Sequence, residues 1–240
     1  MTIETRPVGT KHDDAGLEGV LAFDPEAGPR AAVLIFHSWA GRSDKEVAVA
    51  RRMAELGYAG FACDLYGKGK LGTNKEECAA LMNPLMADRA FLQSRLLHWV
   101  DVVRALPQVD DNRMAAMGFC FGGLCALDLA RTGADVRGVA SFHGLLSAPG
   151  NREGTPIKAR IIAFHGWDDP MAPPDHVTAL GEELTRAGAD WQIHAYGGTL
   201  HAFTNPKAAD PDAGLLYNPI AAGRAWTSFE AFLAEIFGPR

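Results

Sequence analysis

The sequence predicts an α/β fold, a mostly parallel central sheet with helices on both faces, from two observations. Continuous apolar runs of strand length, such as 31–36 and 58–63, are typical of strands buried on both faces of a parallel sheet. These runs alternate along the chain with stretches of helical periodicity. At 240 residues, without an internal repeat or a linker, the chain is predicted to form one domain over 1–240.

The elements are predicted in chain order from periodicity and from breaker residues. The predicted strands are 17–23, as an antiparallel edge strand, then 31–36, 58–63, 114–118, 136–142, 160–164 and 191–196. The predicted helices are 45–56, capped by Ser43 or Asp44, two helices within 75–106 that are interrupted at Pro84, and 124–130, 175–186 and 221–237.

Charge and composition exclude several classes of function. Lys and Arg number 23 against 29 Asp and Glu, a net charge of −6, so neither a nucleic-acid nor an anionic-membrane role is expected. No apolar run approaches the roughly 20 residues of a membrane span. Residues 1–14 lack the apolar core of a signal peptide, and the four cysteines lack a disulfide-like spacing. We therefore expect free thiols and a cytoplasmic location.

The stretch 113–123 carries the most specific motif. Cys120 follows a predicted buried strand, with Gly118 two residues before it, Gly122 two residues after it and a predicted helix next. This is the G-x-nucleophile-x-G turn with Cys in the place of Ser. Glycine is needed there because strand and helix backbones pass close together. The positive end of the helix dipole would favour a thiolate at Cys120.

The remaining reactive residue types also follow predicted strands. Asp168 and Asp169 come after the strand 160–164, and His201 comes after the strand 191–196. Ligands of such sheets bind at the carboxyl ends of the strands, so the order nucleophile, acid, histidine predicts a catalytic triad. His201 would accept the proton of the thiol and later protonate the leaving group, and the acid would hold the imidazole in the right orientation.

Other residues at strand ends are assigned by the same reasoning. The oxyanion of a tetrahedral intermediate would be bound by the backbone N–H groups of Phe121 and Trp39. His37, His143 and His165 lack the spacing of metal ligands, so we interpret them as hydrogen-bonded packing groups and predict no metal. His37 would form a wall beside Cys120.

Four segments together resemble the dienelactone hydrolase family. These are Gly118-Phe-Cys-Phe-Gly-Gly123, Cys63-Asp-Leu-Tyr-Gly67, His165-Gly-Trp-Asp-Asp-Pro170 and Gly198-Thr-Leu-His-Ala-Phe-Thr-Asn-Pro206. The resemblance runs over about residues 15–235 and implies an α/β-hydrolase fold, a Cys–Asp–His triad, ester or lactone substrates, a thioacyl-enzyme intermediate and no cofactor. It selects Asp169 over Asp168, because Ala172-Pro173 matches the family's Val-Pro-like pair three residues after the acid.

Two positions depart from the pattern that the resemblance implies. Ser38 stands where the founding enzymes have a glutamate near the thiol, so activation would depend on His201 and the helix dipole. Asn205 stands where they have an arginine for the substrate carboxylate, so a charge-assisted contact is missing and a substrate without that carboxylate is expected. Arg89 and Arg95 could supply a positive group to the substrate from another direction, in place of the missing arginine. Alternatively, they are part of a solvated helix face. The substrate pocket is predicted to include His37, Ser38, Tyr66, His143, Phe203 and Asn205.

Two other functions compete with the ester or lactone hydrolase. A non-catalytic member of the same fold would bind a small ligand, but it would not need nucleophile, acid and base together. Thiol-based redox chemistry at Cys120 would need a resolving partner, and Cys125 is predicted to point away along the helix. The partner is expected to be a small-molecule ester or lactone, and the chain a monomer or homodimer.

Overall fold

The computed structural model describes residues 2–238 and forms two compact units, Met1–Met117 and Gly118–Arg240. The longer strands are β1 (Glu4–His12), β2 (Ala15–Phe23), β3 (Arg30–Phe36), β4 (Ala59–Cys63), β5 (Val109–Phe119), β6 (Gly138–Phe142), β7 (Arg160–Gly166) and β8 (Trp191–Tyr196). The helices are α1 (Asp44–Glu55), α2 (Lys75–Ala87), α3 (Arg89–Arg104), α4 (Phe121–Arg131), α5 (Pro174–Arg186) and α6 (Pro219–Phe237). Two short strands, β9 (Ala209–Asp210) and β10 (Leu215–Leu216), form a hairpin.

The longer strands of each unit form a mixed or parallel sheet, mostly parallel, which confirms the predicted fold class. In the first unit the order is β1-β2-β4-β3, with β3 next to β5, and β3 and β4 are parallel. In the second unit the order is β6-β7-β8, all parallel. The prediction of a single domain stays a prediction.

The prediction that 17–23 is an edge strand is wrong, because β1 covers it. β1 and β2 form an antiparallel hairpin in the register Glu4↔Phe23 to His12↔Ala15, and β2 also pairs with β4. Most residues of β1 are exposed and it has no apolar alternation, so its sequence gives no strand signal. Its position follows from the tight turn at Asp13, which has a φ of 55°.

The helices of the first unit agree with the predicted pattern except at one boundary. Ser43 caps α1 in a reciprocal capping box with Glu46, as one of the two predicted caps. The predicted interruption at Pro84 is displaced, because α2 continues through Pro84 to residue 87. The break is at Asp88, whose side chain accepts a hydrogen bond from the Phe91 N–H and caps α3.

In the second unit, helices pack on both faces of the sheet. Consecutive residues of a strand point to opposite faces. In β6, Ser141 points toward α4, where its Oγ lies beside Gly123, and Phe142 points toward α6, where its ring meets Phe229 at 5.4 Å. Between residues 2 and 238, no helix combines the length and apolarity needed to cross a membrane.

Candidate active site

Cys120 lies at a strained turn between β5 and α4. Its backbone has φ 56° and ψ −116°, a conformation that non-glycine residues seldom adopt and that recurs at functional sites. The Cys120 N–H donates to the Phe142 carbonyl at 3.0 Å, and the Cys120 carbonyl accepts from the N–H groups of Gly123 and Leu124. A side chain at Gly118 would overlap the backbone carbonyl of Gly122, so the predicted need for glycine is explained by close approach.

The acid and the histidine form a buried hydrogen-bonded pair. His201 Nδ1 lies 2.7 Å from Asp169 Oδ2, with side chains 2 % and 0 % exposed. The other carboxylate oxygen, Oδ1, accepts from the Met171 N–H at 2.8 Å. Because Oδ1 is held by the backbone, Oδ2 is fixed toward the imidazole. Asp168 is exposed, so the acid that the structure brings to His201 is Asp169.

The β9–β10 hairpin holds the backbone of His201. The His201 N–H donates to the Gly214 carbonyl at 2.9 Å, and the His201 carbonyl accepts from the Leu216 N–H at 3.2 Å. Gly214 has a φ of 77°, and a Cβ there would overlap the ring of Pro170, the residue after Asp169. One turn therefore supports both the histidine and the loop of the acid. Its two-residue strands are too short to carry a periodicity, so the hairpin could not be predicted from the sequence.

Substituting Gly214 tests this support. Gly214→Ala is expected to lower kcat/KM for an ester by about 10- to 100-fold, because displacing a positioned catalytic group by about 1 Å has an effect of that size. The positive φ and the overlap with Pro170 should also destabilise the fold by about 1–3 kcal/mol in urea unfolding. The matched control is Gly223→Ala, in open space on α6, which should keep full activity. Full activity in Gly214→Ala would contradict the supporting role.

The pKa of His201 is raised to about 10 by its partners. Burial lowers this pKa, but the hydrogen bond to Asp169 and the interaction with the Cys120 side chain outweigh the burial. Within residues 2–238, no hydrogen bond to His201 Nε2 meets the usual distance and angle criteria. The interaction between Nε2 and the Cys120 side chain is therefore weaker than a well-formed hydrogen bond. Loose nucleophile–base contacts are common without a bound substrate. His201 is thus built to carry a positive charge beside the thiol.

A second imidazole packs against His201. The His143 ring meets the His201 ring edge-on at 5.0 Å, and its Nε2 lies 2.8 Å from the hydroxyl of Thr204. Burial and the positive charge of His201 hold the pKa of His143 well below its usual range. His143 has a φ of 38°, so it too is held in a strained conformation. The His143 ring is therefore neutral and packs beside the protonated ring of His201.

His165 and Ser141 are buried without hydrogen-bond partners in the described part of the chain. Both ring nitrogens of His165 and the Ser141 hydroxyl lack partners there. Burial lowers the pKa of His165, and Asp169 and His201 act on it electrostatically. The interpretation of His165 as a hydrogen-bonded packing group stays a prediction. The β7 register places His165 opposite Ala195 of β8, which has no polar side chain.

Comparison with known proteins assigns the chain to a family. The model of the dienelactone hydrolase family matches residues 17–237. The chain belongs to the dienelactone hydrolase family. A solved dienelactone hydrolase-like promiscuous phosphotriesterase from metagenomic libraries is 33 % identical, with a TM-score of 0.91 over 98 % of this chain and 99 % of that one. A putative carboxymethylenebutenolidase of Aquifex aeolicus is 29 % identical over 88 % of this chain and 89 % of its own length.

A further relative is 35 % identical over 61 % of this chain and 94 % of its own length, an uncharacterized protein of Caenorhabditis elegans. The resemblance seen in the sequence is thus confirmed. As a dienelactone hydrolase family member, the chain is a hydrolase.

In this dienelactone hydrolase family member, two predicted pocket residues of the second unit, Phe203 and Asn205, follow His201 in the same loop. Phe203 is fully buried, and its ring meets the His143 ring at 5.3 Å. Asn205 begins a turn, since its Oδ1 accepts from the Lys207 N–H at 3.1 Å. Phe203 is therefore a packing residue behind the imidazoles, and Asn205 offers a neutral amide.

The predicted pocket residues of the first unit are linked to one another. His37 is buried, with Nδ1 2.7 Å from the Ser38 carbonyl, and its Nε2 accepts from the Leu65 N–H at 3.1 Å. Tyr66 packs edge-on against His37 at 4.6 Å, and its hydroxyl donates to the Trp39 carbonyl at 3.0 Å. These bonds fix the loop that carries Ser38 and Trp39. The oxyanion role of Trp39 and the wall formed by His37 stay predictions.

Arg95 is used within the first unit. It is buried, donates from Nη1 to the Leu65 carbonyl at 2.7 Å, and lies over the Phe91 ring at 4.6 Å. Its interpretation as part of a solvated face is therefore wrong. Across residues 2–238 no cluster of three His, Cys, Asp or Glu side chains is arranged to hold a metal ion.

Proposed function

We propose that the chain hydrolyses carboxylic esters or lactones with Cys120 as nucleophile, His201 as general acid and base, and Asp169 as the residue that orients His201. Membership of the dienelactone hydrolase family supports the reaction class. The observation that carries the residue assignment is the buried 2.7 Å contact between His201 and Asp169, with Cys120 acting on the same imidazole.

In the acylation step, the Cys120 thiolate attacks the carbonyl carbon and the carbonyl oxygen becomes an oxyanion. The N–H group of Phe121 would donate to that oxyanion. When the tetrahedral intermediate collapses, the C–O bond breaks and the leaving alkoxide takes the proton of His201 Nε2. The result is a thioester on Cys120 and a neutral imidazole.

In the deacylation step, the neutral His201 accepts a proton from water while the water oxygen attacks the thioester. The thioester sulfur carries no charge, so the interaction that Cys120 contributes to the raised pKa of His201 is weakened at this stage. Collapse of the second intermediate breaks the C–S bond and releases the acid and the thiolate. The same imidazole is therefore an acid in one step and a base in the next.

The substrate class follows from the neutral group at Asn205. A substrate carboxylate at that place would meet an amide already used in a turn, without the two charge-assisted bonds of a guanidinium. We infer simple, uncharged esters or lactones as the preferred substrates. Ser38 cannot take a proton, so activation of the thiol would depend on His201 and the helix dipole.

Phosphotriesters are a second substrate class for the same residues. The 33 % identical relative is a promiscuous phosphotriesterase, and an uncharged triester suits the neutral Asn205. The thiolate would attack phosphorus and expel the aryloxide, and water would then cleave the P–S bond. The same imidazole would serve both steps.

The pKa of His201 predicts the basic limb of the pH profile. Because this pKa is raised to about 10, the imidazole keeps its proton at neutral pH and loses it as the pH rises through about 10. For an ethyl ester, whose alkoxide needs that proton, kcat/KM should fall above this pH. For a p-nitrophenyl ester, whose leaving group needs none, it should fall less. The profile is measured by pH-stat titration.

The Asp169→Asn variant supplies the comparison for this profile. It removes a cause that raises the pKa of His201, so its ethyl-ester limb should move to lower pH. His201 would not be the proton donor if kcat/KM fell at the same high pH for both esters and if Asp169→Asn did not change that pH.

A further inference from the structure

The outer strand of the second unit is an unprotected sheet edge. β8 is the last strand of the order β6-β7-β8, and no strand among residues 2–238 pairs with its outer side. Proteins usually protect such edges with charged residues or proline. β1, the outer strand of the first unit, has Pro7 together with Arg6 and Lys11. β8, with the sequence WQIHAY, has no proline and no Asp, Glu, Lys or Arg.

The hydrogen-bonding groups on this edge follow from the β7–β8 ladder. Asp190 O accepts from the Ile161 N–H, and Tyr196 O accepts from the Trp167 N–H. In a parallel ladder the bonding residues alternate along the strand. The even-numbered residues of β8 therefore face β7. The N–H and C=O groups of Trp191, Ile193 and Ala195 face outward.

The surface beside this edge is a groove of about 640 Å³ between β8 and α5. Trp191, Ile193 and Ala195 line its strand side. Trp191 is 37 % exposed, and its ring rests against Gly181 of α5. The apolar side chains and the open backbone groups thus belong to the same three residues.

We propose that two copies of the chain associate through β8, antiparallel about a two-fold axis at Ile193. In that register Ile193 faces Ile193 of the second copy, and Trp191 faces Ala195 of the second copy. Antiparallel strands form their paired hydrogen bonds at every second residue, so all three outward-facing residues donate one bond and accept one. The large Trp191 side chain is placed beside the small Ala195, which avoids a clash between copies.

The charges of α5 favour the same two-fold arrangement. Asp175, Thr178, Glu182 and Arg186 are exposed and, at this spacing, share one face of the helix. Antiparallel α5 helices would place Asp175, in the first turn of one copy, beside Arg186 in the last turn of the other, where Glu182 of the same helix approaches Arg186 at 3.8 Å. Asp175 then faces Arg186 of the second copy, and the opposed helix dipoles also attract. A second copy is therefore the occupant that fits this surface.

The first test is the mass in solution by light scattering across a dilution series. Wild type is expected to have twice the mass of one chain, which is 25.7 kDa. Ala195→Lys adds a charge that protects the sheet edge, so this variant is expected to have the mass of one chain. Gln192→Lys is the matched control, since this exposed residue faces β7 with its backbone, and it should leave the dimer intact. A wild type that stays monomeric at every concentration would overturn the proposal.

Two further sets of variants, cysteine substitutions and charge reversals, test the register. Ile193→Cys should form a disulfide between copies on a non-reducing gel, because paired residues of this kind lie about 5.5 Å apart at Cα, and Gln192→Cys should not. Asp175→Arg and Arg186→Asp should each weaken the dimer, and the double variant should restore it. A dimer that is insensitive to Ala195→Lys and to both charge reversals would place the interface elsewhere.

Discussion

Cys120→Ala is expected to reduce hydrolysis of p-nitrophenyl acetate by about 10⁴- to 10⁶-fold, the loss typical of removing a covalent nucleophile. The variant keeps the strained turn, because alanine has a Cβ like cysteine, and it removes only the sulfur that acts on His201. The measurement is initial rate against substrate concentration at neutral pH. Mass spectrometry of wild type quenched during turnover should find one acetyl group on Cys120.

Cys125→Ala is the matched control for this loss. Cys125 lies five residues further along the chain in α4 and is buried, so the change removes a nearby sulfur and keeps Cys120, Asp169 and His201. It should retain activity. If Cys120→Ala hydrolyses the ester at the wild-type rate, the nucleophile assignment fails. If wild type itself hydrolyses neither the ester nor a p-nitrophenyl dialkyl phosphate, a ligand-binding function is favoured.

Asp169→Asn is expected to lower kcat by about 10⁴-fold, as removal of the orienting carboxylate does in other triads. The Met171 N–H needs an acceptor, so the amide oxygen of the substituted side chain should occupy the place of Oδ1 and turn the NH₂ group toward His201. His201 Nδ1 must then accept, which leaves the proton on Nε2. The imidazole is thus held in a tautomer that cannot take a proton from water at Nε2.

Asp168→Asn is the control, because the neighbouring carboxylate is exposed and does not reach His201. It should keep wild-type kinetics, and urea unfolding should show whether either variant loses stability. A loss of activity in Asp168→Asn together with an active Asp169→Asn would reverse the assignment of the acid.

The features that could be predicted from the sequence are those with a strong local signal. β3, β4 and β7 are buried apolar runs, and α5 has a clear apolar stripe, so burial and periodicity determine them. The contact between His201 and Asp169 was predictable because both follow parallel strands, whose carboxyl ends share one edge.

The features that could not be predicted depend on contacts between distant segments. β1 is mostly exposed and is held by pairing with β2, and the β9–β10 hairpin is too short to show a period. The edge-on packing of His143 against His201 joins the end of β6 to a loop after β8, and no spacing in the sequence encodes it. The break between α2 and α3 falls at a capping Asp88 and not at the proline, because the cap satisfies the start of α3.

The division of the chain at residues 117 and 118 has a consequence for inheritance. Cys120, Asp169 and His201 all belong to the second unit, within one continuous segment. A hybrid gene that exchanges the first 117 codons with those of a relative would transmit the three proposed reactive residues together from a single parent. Recombination at this point would therefore change the amino-terminal half, including Ser38 and Trp39, and keep Cys120, Asp169 and His201 of the other parent together.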